Sequence, residues 1–446
     1  MHDVLFEQQP DIFEVNEFGF SDEVVKLAKK DWHATLKNIR KAKCRRSVPS
    51  HALPNEIWRI LLCLFPRLSP EANHDMPNGS GIGFDLSPLN CVYFKKLVFA
   101  CLCVVRATNI APLQWHRSKC FSIPKKNPAE VQLAFDSQRS IHSLDPFGKG
   151  FYKHILDQST PQHVSPNEHA YLKGRRREAA VKQQLIVSWR LKRNNFCHDT
   201  TSYDQKNAFG SVLFHVISSI YQFLMQPQDL ILFKQRYMSA TTEVPTIEGS
   251  SHFVIGSGPL PGDKIAAHIF RDVFHVACDK WIVNDKCPYL NLTCAITKKN
   301  VNVAKSIYAD DLCDKAIYKV PPSIEQHTSS HEKRDRILNE LTNPIGLHQH
   351  HGKKETTLTF RGTGAHNAYR ALKIPRPTHR ILDEMLYLGC WMSANGSNTT
   401  EIKARLSAAW KRWSCFSNVW RNEQIPFHVR RMFFRDYVYS SYINYI

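Results

Sequence analysis

Residues 307–312 read Ile-Tyr-Ala-Asp310-Asp311-Leu, two adjacent carboxylates between runs in which apolar residues alternate. The alternation predicts a tight β-hairpin with arms Lys305–Tyr308 and Leu312–Ile317 and both aspartates at its tip. Like charges this close resist ionising together, a cost that divalent cations placed between them and a phosphate would offset. An Asp-Asp pair is also ordinary turn composition, so its surroundings decide the reading. Upstream, a strand over Cys197–Tyr203 runs into Asp204-Gln-Lys-Asn-Ala208-Phe209. Between the two lies Gly258-Pro-Leu-Pro-Gly262-Asp263. Downstream come Gly346-Leu347, then Lys353-Lys354-Glu355, and Tyr387-Leu388-Gly389.

In this order the segments resemble the palm motifs of reverse transcriptases, specifically those of non-LTR (LINE-type) retrotransposons. The resemblance implies an α+β right-hand polymerase, with fingers, palm and thumb and an antiparallel palm sheet backed by helices. Residues 1–110 would form a largely helical N-terminal region, 111–196 the fingers, 197–392 the palm with its inserts, and 393–446 a partial helical thumb. The implied function is RNA-directed DNA polymerisation by transfer from a dNTP to a primer 3′-hydroxyl. The implied partners are an RNA template and a DNA primer. Two Mg²⁺ ions, with Mn²⁺ as a possible substitute, would stabilise the attacking and leaving oxygens, held by carboxylate oxygens as Mg²⁺ prefers.

Residue by residue, the resemblance makes Asp204, Asp310 and Asp311 the metal ligands and catalytic carboxylates, with Asp311 the more peripheral. Lys353 takes the place of the lysine that protonates the leaving pyrophosphate, and Lys354 is the near substitute. Lys125, with Lys126 as an adjacent alternative, and Arg139 match the cations that grip the triphosphate, where arginine can bind in a bidentate way. Phe209 matches the bulky side chain that excludes a 2′-hydroxyl by clash. Gly262 and Asp263 belong to the nucleotide pocket, and Tyr387, Leu388 and Gly389 to the element that holds the primer end. The chain departs from the pattern at Pro261, where the family carries glutamine, and at Gly210. It also departs at Gln349-His350-His351, where an asparagine is usual. Two further readings stay open: a decayed element that binds nucleic acid without catalysis, and a related enzyme, an intron maturase or a viral RNA-copying polymerase. No endonuclease segment is recognisable, which makes a fragment or a domain-only product the expectation.

Bulk properties agree with a polyanionic partner. Among 446 residues, 59 Lys plus Arg outweigh 40 Asp plus Glu, for a formal charge of +19. A hydrophobic content of 43% excludes general disorder. Thirteen cysteines include no Cys-x-x-Cys pair, which argues against a secreted disulfide framework and a structural zinc site. The start lacks the features of a signal peptide. The longest apolar run, Leu97–Val105, is far short of the roughly 20 residues that span a bilayer. An intracellular protein without a membrane partner is expected, in the nucleus or the cytoplasm.

Around these motifs, Ser21 predicts a helix N-cap. Val24, Val25, Leu27, Trp32, Leu36 and Ile39 follow at helical spacing, opposite a basic face that is either solvated or laid along a phosphate backbone. A second helix is expected from Glu56 to about Leu64, and a loop over 66–90. A strand ending at Lys125-Lys126, another opening at Arg139 and a helix from Pro146 make up the predicted fingers. Another helical stretch covers 171–194. The segment between Phe270 and Lys305 reads as a hairpin or loop. Ser393-Ala-Asn395-Gly396 reads as a hairpin turn. Ile402, Leu406, Ala409, Trp410, Trp413, Phe416 and Trp420 then trace a helical stripe expected to pack in a core.

Overall fold

A computed structural model describes residues 19–42, 48–62, 88–124, 138–160, 164–246, 249–285, 290–293, 298, 300–374 and 380–443. Lys125, Lys126 and most of the expected 66–90 loop lie outside them. The described strands are β1 (Arg117–Pro124), β2 (Gln138–Leu144), β3 (Cys197–Tyr203), β4 (Thr241–Thr246), β5 (Gly249–Val254), β6 (Asn291–Thr293), β7 (Asn300–Asn302), β8 (Ser306–Tyr308), β9 (Asp311–Tyr318), β10 (Glu355–Thr359), β11 (Arg380–Leu382), β12 (Glu384–Tyr387) and β13 (Cys390–Ser393). The chain forms two compact units, residues 1–162 with 209–273, and 163–208 with 274–446.

In the first unit, Ser21 caps the Asp22–Lys41 helix by accepting from the Val24 N–H, and Trp32 and Ile39 are buried on its inner face. Trp32 meets Phe99 of the Pro88–Thr108 helix edge to face. Arg106 of that helix lies between Asp31 and Asp229, 2.5 Å from each, in a buried ion triad that apolar periodicity does not reveal. The sheet has the order β2-β1-β4-β5; β1 and β2 are antiparallel, and β1 and β4 are parallel. Asp145 caps the Pro146–Asp157 helix through the Gly148 N–H at 2.7 Å.

The second unit is built on a sheet of order β11-β10-β3-β9-β8. Pairings across β8, β9, β3 and β10 are antiparallel, but β10 and β11 run parallel, so the sheet is mixed rather than purely antiparallel. The physical reason is the Ala365–Leu372 helix between them, the kind of crossover that a parallel neighbour requires. Side chains alternate across β3 and β9. Thr200 and Lys315 face the Arg177–Arg193 helix, where the Lys315 ammonium donates to Ser188 and Thr200. Asp199 and Asp314 face the Ile324–Thr342 helix through Arg334. The segment expected as a hairpin or loop between Phe270 and Lys305 is instead helical through Asn284, as part of the Ala266–Asn284 helix, and only β6 and β7 nearer Lys305 pair as a hairpin.

Two expectations fail in the C-terminal region. The hairpin turn is Leu388–Gly389 between β12 and β13, both at positive φ, whereas residues 393–396 make a turn, with the Gly396 N–H donating to the Ser393 carbonyl, that leads into the Thr399–Cys415 helix. A two-residue turn with both centres left-handed matches the twist of its strands, and Leu-Gly here outcompetes the Asn-Gly signal. The aromatic stripe is not a core. Ile402, Leu406, Trp410 and Trp413 are exposed, with Trp410 at 70%, and Trp413 stacks on Trp420 at 4.6 Å. Periodicity marks one helix face without saying whether anything covers it. Among the described residues, no helix is long and apolar enough to cross a membrane.

Candidate functional site

The pairing of β3 with β9 ends at Tyr203↔Leu312. Asp204 follows Tyr203 and Asp311 precedes Leu312, so the two aspartates take the next opposed position of the antiparallel ladder. Facing positions of this kind hold Cβ atoms about 4.5–5.5 Å apart. Asp310 is the neighbour of Asp311 in the β8–β9 hairpin, which closes through the two-residue turn Ala309–Asp310, with Ala309 at φ 56°. Asp311 therefore opens β9 instead of riding the tip, one step from the predicted arm boundary. All three aspartates are half-buried. Burial, then the carboxylates of Asp310 and Asp204, push Asp311 up to about 7, while Lys353 pulls the other way.

Lys353 donates to Asp204 Oδ2 at 2.8 Å from the solvent side, with its own side chain 62% exposed. The loop carrying it is held on the end of β3. The His350 N–H donates to the Asp204 carbonyl, the Lys206 N–H donates to the His348 carbonyl, and Gln205 bridges Gln349. Gly346 turns the chain at φ 91°, and Leu347 anchors it with no exposed surface. Lys354 behaves differently from its neighbour. It is buried, pairs with Asp335 at 2.5 Å and lies over the Tyr203 ring.

Tyr387 is buried, and its hydroxyl lies 2.9 Å from Ser306 Oγ on β8. Tyr308 and Leu388 pack against the cluster that contains Tyr387, Cys313 and Met385. The tip of the β12–β13 hairpin is thereby tied to the carboxylate hairpin, and Arg405 donates to the Gly389 carbonyl at 2.7 Å. Tyr171 was not foreseen. It stands at φ 57° near the same hairpin, and burial together with Asp310, Tyr308 and Asp311 pushes its phenol up to about 12. No sequence pattern marks it. Asn167 and His169 extend the free edge of β8 by bonding both sides of Ile307.

The remaining sequence candidates belong to the first unit. A Cβ on Gly258 would stand 2.2 Å from the Phe209 carbonyl oxygen, and the Gly258 N–H donates to Val212, so only glycine lets these two segments lie together. Phe209 stacks on Phe270 at 4.7 Å. Gly262, at φ 108°, is pressed on the His142 carbonyl, whose own N–H donates to Pro261. The Asp263 carboxylate turns inward onto buried Arg236 at 2.8 Å and holds this turn. Arg139 is exposed on β2 opposite Ile123. Lys125 lies outside the described residues.

The three histidines of the 348–351 loop form no metal-holding cluster. Among the described residues, one group has that geometry, Asp199 with His327 and His331, and it is fully buried. The sequence signal for it was His-x-x-x-His, one helical turn apart.

No family model and no curated protein matches the chain. Among solved structures, it is similar to apo telomerase from Candida tropicalis truncated from its C-terminal domain, at 13% identity over 64% of this chain and 55% of that chain, TM-score 0.39. It is similar to apo telomerase from the same organism at 12% identity over 78% of this chain and 66% of that one, TM-score 0.40. Telomerase from Candida tropicalis in complex with a TWJ fragment of telomeric RNA gives 13%, 77%, 58% and 0.37. The chain thus spans less than two thirds of those structures, and likeness at these scores carries no assignment.

Proposed function

We propose that the protein is an RNA-directed DNA polymerase of the non-LTR retroelement type, built as fingers, palm and thumb. The observation that carries this reading is the β3–β9 register, which sets Asp204 beside Asp311 at one sheet end with Lys353 on the rim. A cluster in which burial and then neighbouring carboxylates push Asp311 up to about 7 is under-neutralised, and divalent cations suit it. Asp204, Asp310 and Asp311 would hold two Mg²⁺ ions. When bound, these supply stabilisation of charge on the attacking and leaving oxygens.

The chain's own groups supply the rest. Lys353 is an exposed ammonium already poised at the carboxylates, able to turn from Asp204 to a pyrophosphate oxygen and give it a proton. Arg139 and Lys125 are the cations proposed for the triphosphate. Phe209, braced by Phe270 and the Gly258 segment, is proposed to reject a 2′-hydroxyl by shape, and Gly262 to allow close approach of the nucleotide. Tyr387, Leu388 and Gly389, on a hairpin bonded to β8, are proposed to set the primer end. RNA template, DNA primer and dNTPs are the expected partners.

Primer extension on a homopolymer RNA template, with Mg²⁺ and then Mn²⁺, tests the proposal. Extension with dNTPs that Asp310→Ala abolishes supports it, and Phe209→Ala should admit rNTPs. Salt-sensitive RNA binding with no extension under either ion would replace it with the binding-only reading.

A further inference from the structure

The buried face of the Ile324–Thr342 helix is not apolar. His327, His331, Arg334, Leu338 and Thr342 line it, and at its start two imidazoles one turn apart face the carboxylate of Asp199 on β3. His327 Nε2 lies 3.4 Å and His331 Nε2 3.5 Å from Asp199 Oδ2. Those separations are long for charge-assisted hydrogen bonds, which run about 2.7–2.9 Å. They match the edge of a tetrahedron around zinc, which is about 3.3–3.4 Å for metal–ligand bonds of about 2.0–2.1 Å. The three ligand atoms all fall within 4.8 Å of one another.

We propose that Asp199, His327 and His331 form a divalent-metal site of the zinc class that clasps the Ile324–Thr342 helix to β3. The inference is independent of the polymerase reading, and uses none of the carboxylates assigned to it. The surroundings are those of a supported ligand carboxylate. The Ala316 N–H donates to Oδ1 at 3.2 Å, and the Tyr318 hydroxyl to Oδ2 at 2.9 Å. Arg334 also donates to Oδ2, at 2.8 Å, and reaches Asp314 at 3.4 Å. An incoming ion therefore shares Oδ2 with Arg334, which keeps Asp314 as a second partner. An open groove of about 490 Å³ beside the helix is lined in part by Thr328, His331 and Asp335.

The clasp has a mechanical sense. The helix continues through residues 343–345 into the loop that carries Lys353, and Asp335 on the same helix holds Lys354. Fixing the start of the helix on β3 fixes the path of that loop.

The test uses the full chain purified without a histidine tag. Zinc content is measured by mass spectrometry, Co²⁺ replacement by visible absorption, and melting temperature with and without EDTA. Expected are stoichiometric zinc, a tetrahedral-type Co²⁺ spectrum and a lower melting temperature in EDTA. All three should be lost in His327→Gln/His331→Gln and kept in His348→Gln/His350→Gln/His351→Gln. Tyr318→Phe should weaken metal binding by roughly 10–100-fold. Should the double variant fail to fold, the wild-type content and Co²⁺ spectrum decide alone. Sub-stoichiometric zinc without a Co²⁺ spectrum, or metal lost with the loop histidines, overturns the site and leaves Arg334 as the cation of Asp199.

Discussion

Asp204 and Asp311 face each other one position beyond Tyr203↔Leu312, the last paired residues of β3 and β9. Neither is near the other in sequence, yet each fixes the surroundings of the other. Replacing Asp204 or Asp310 by Asn should reduce primer extension by at least about 100-fold, as for other groups that stabilise charge in a transition state. Circular dichroism should remain unchanged, because both side chains lie at a half-open rim. Full activity in either variant would remove the carboxylates from the chemistry.

Two adjacent lysines should give opposite phenotypes. Lys353 forms an exposed pair, worth about 0–1 kcal/mol. Lys353→Ala should therefore slow nucleotide transfer with little change in denaturant midpoint. Lys354→Ala leaves Asp335 without its buried partner and should destabilise the unit by about 3 kcal/mol. Single-turnover rates and urea unfolding on the same two variants separate the effects.

Gly262→Ala should destabilise the first unit by about 2 kcal/mol or more, since the added carbon would meet the His142 carbonyl 2.2 Å away at a φ of 108°. Gly19→Ala, also at positive φ but in open space, is the control and should cost about 1 kcal/mol. Equal losses in the two would show that steric contact at Gly262 is not the cause.

Stability should fall in acid. Burial lowers His116 and His142 to about 4 and His198 to about 3, against an ordinary value of 6.5. Between those values the unfolded chain takes up protons that the folded chain refuses, so stability drops as pH falls from about 6.5 to about 4. The two groups at about 4 account for about 3 kcal/mol each. Asp311 and Asp145, raised from 3.8 to about 7 and about 6, act in the opposite direction across nearly the whole of this range. The histidines outweigh them. Melting temperature against pH should show the acid slope, and His142→Gln should flatten it; a curve rising toward pH 4 would contradict this balance.

The carboxylate hairpin of the second unit was legible because Asp310–Asp311 is turn composition between two short apolar runs. Cys197–Tyr203 was read to the residue, and the Asp310–Asp311 hairpin to within one position. The cap at Ser21 was equally plain. What escaped was long-range and polar. Arg106 with Asp31 and Asp229, and Arg334 with Asp199 and Asp314, are partners brought together from distant segments, and nothing in local periodicity encodes such meetings. Tyr171 was missed for the same reason. The Trp410 stripe failed differently, since its spacing correctly gave one helix face but was silent on cover.

The opposite charges at Asp314 and Lys315 have a consequence for strand alignment. Were β9 to slip by one residue against β3, the ammonium would be driven toward Arg334 and the carboxylate toward the hydroxyls of Ser188 and Thr200. The first placement sets two cations together and the second takes Asp314 away from Arg334, so the ionic interior works as a frame check on the ladder. A carboxylate at position 311 is delivered opposite Asp204 because charges farther along the strand tolerate no other alignment.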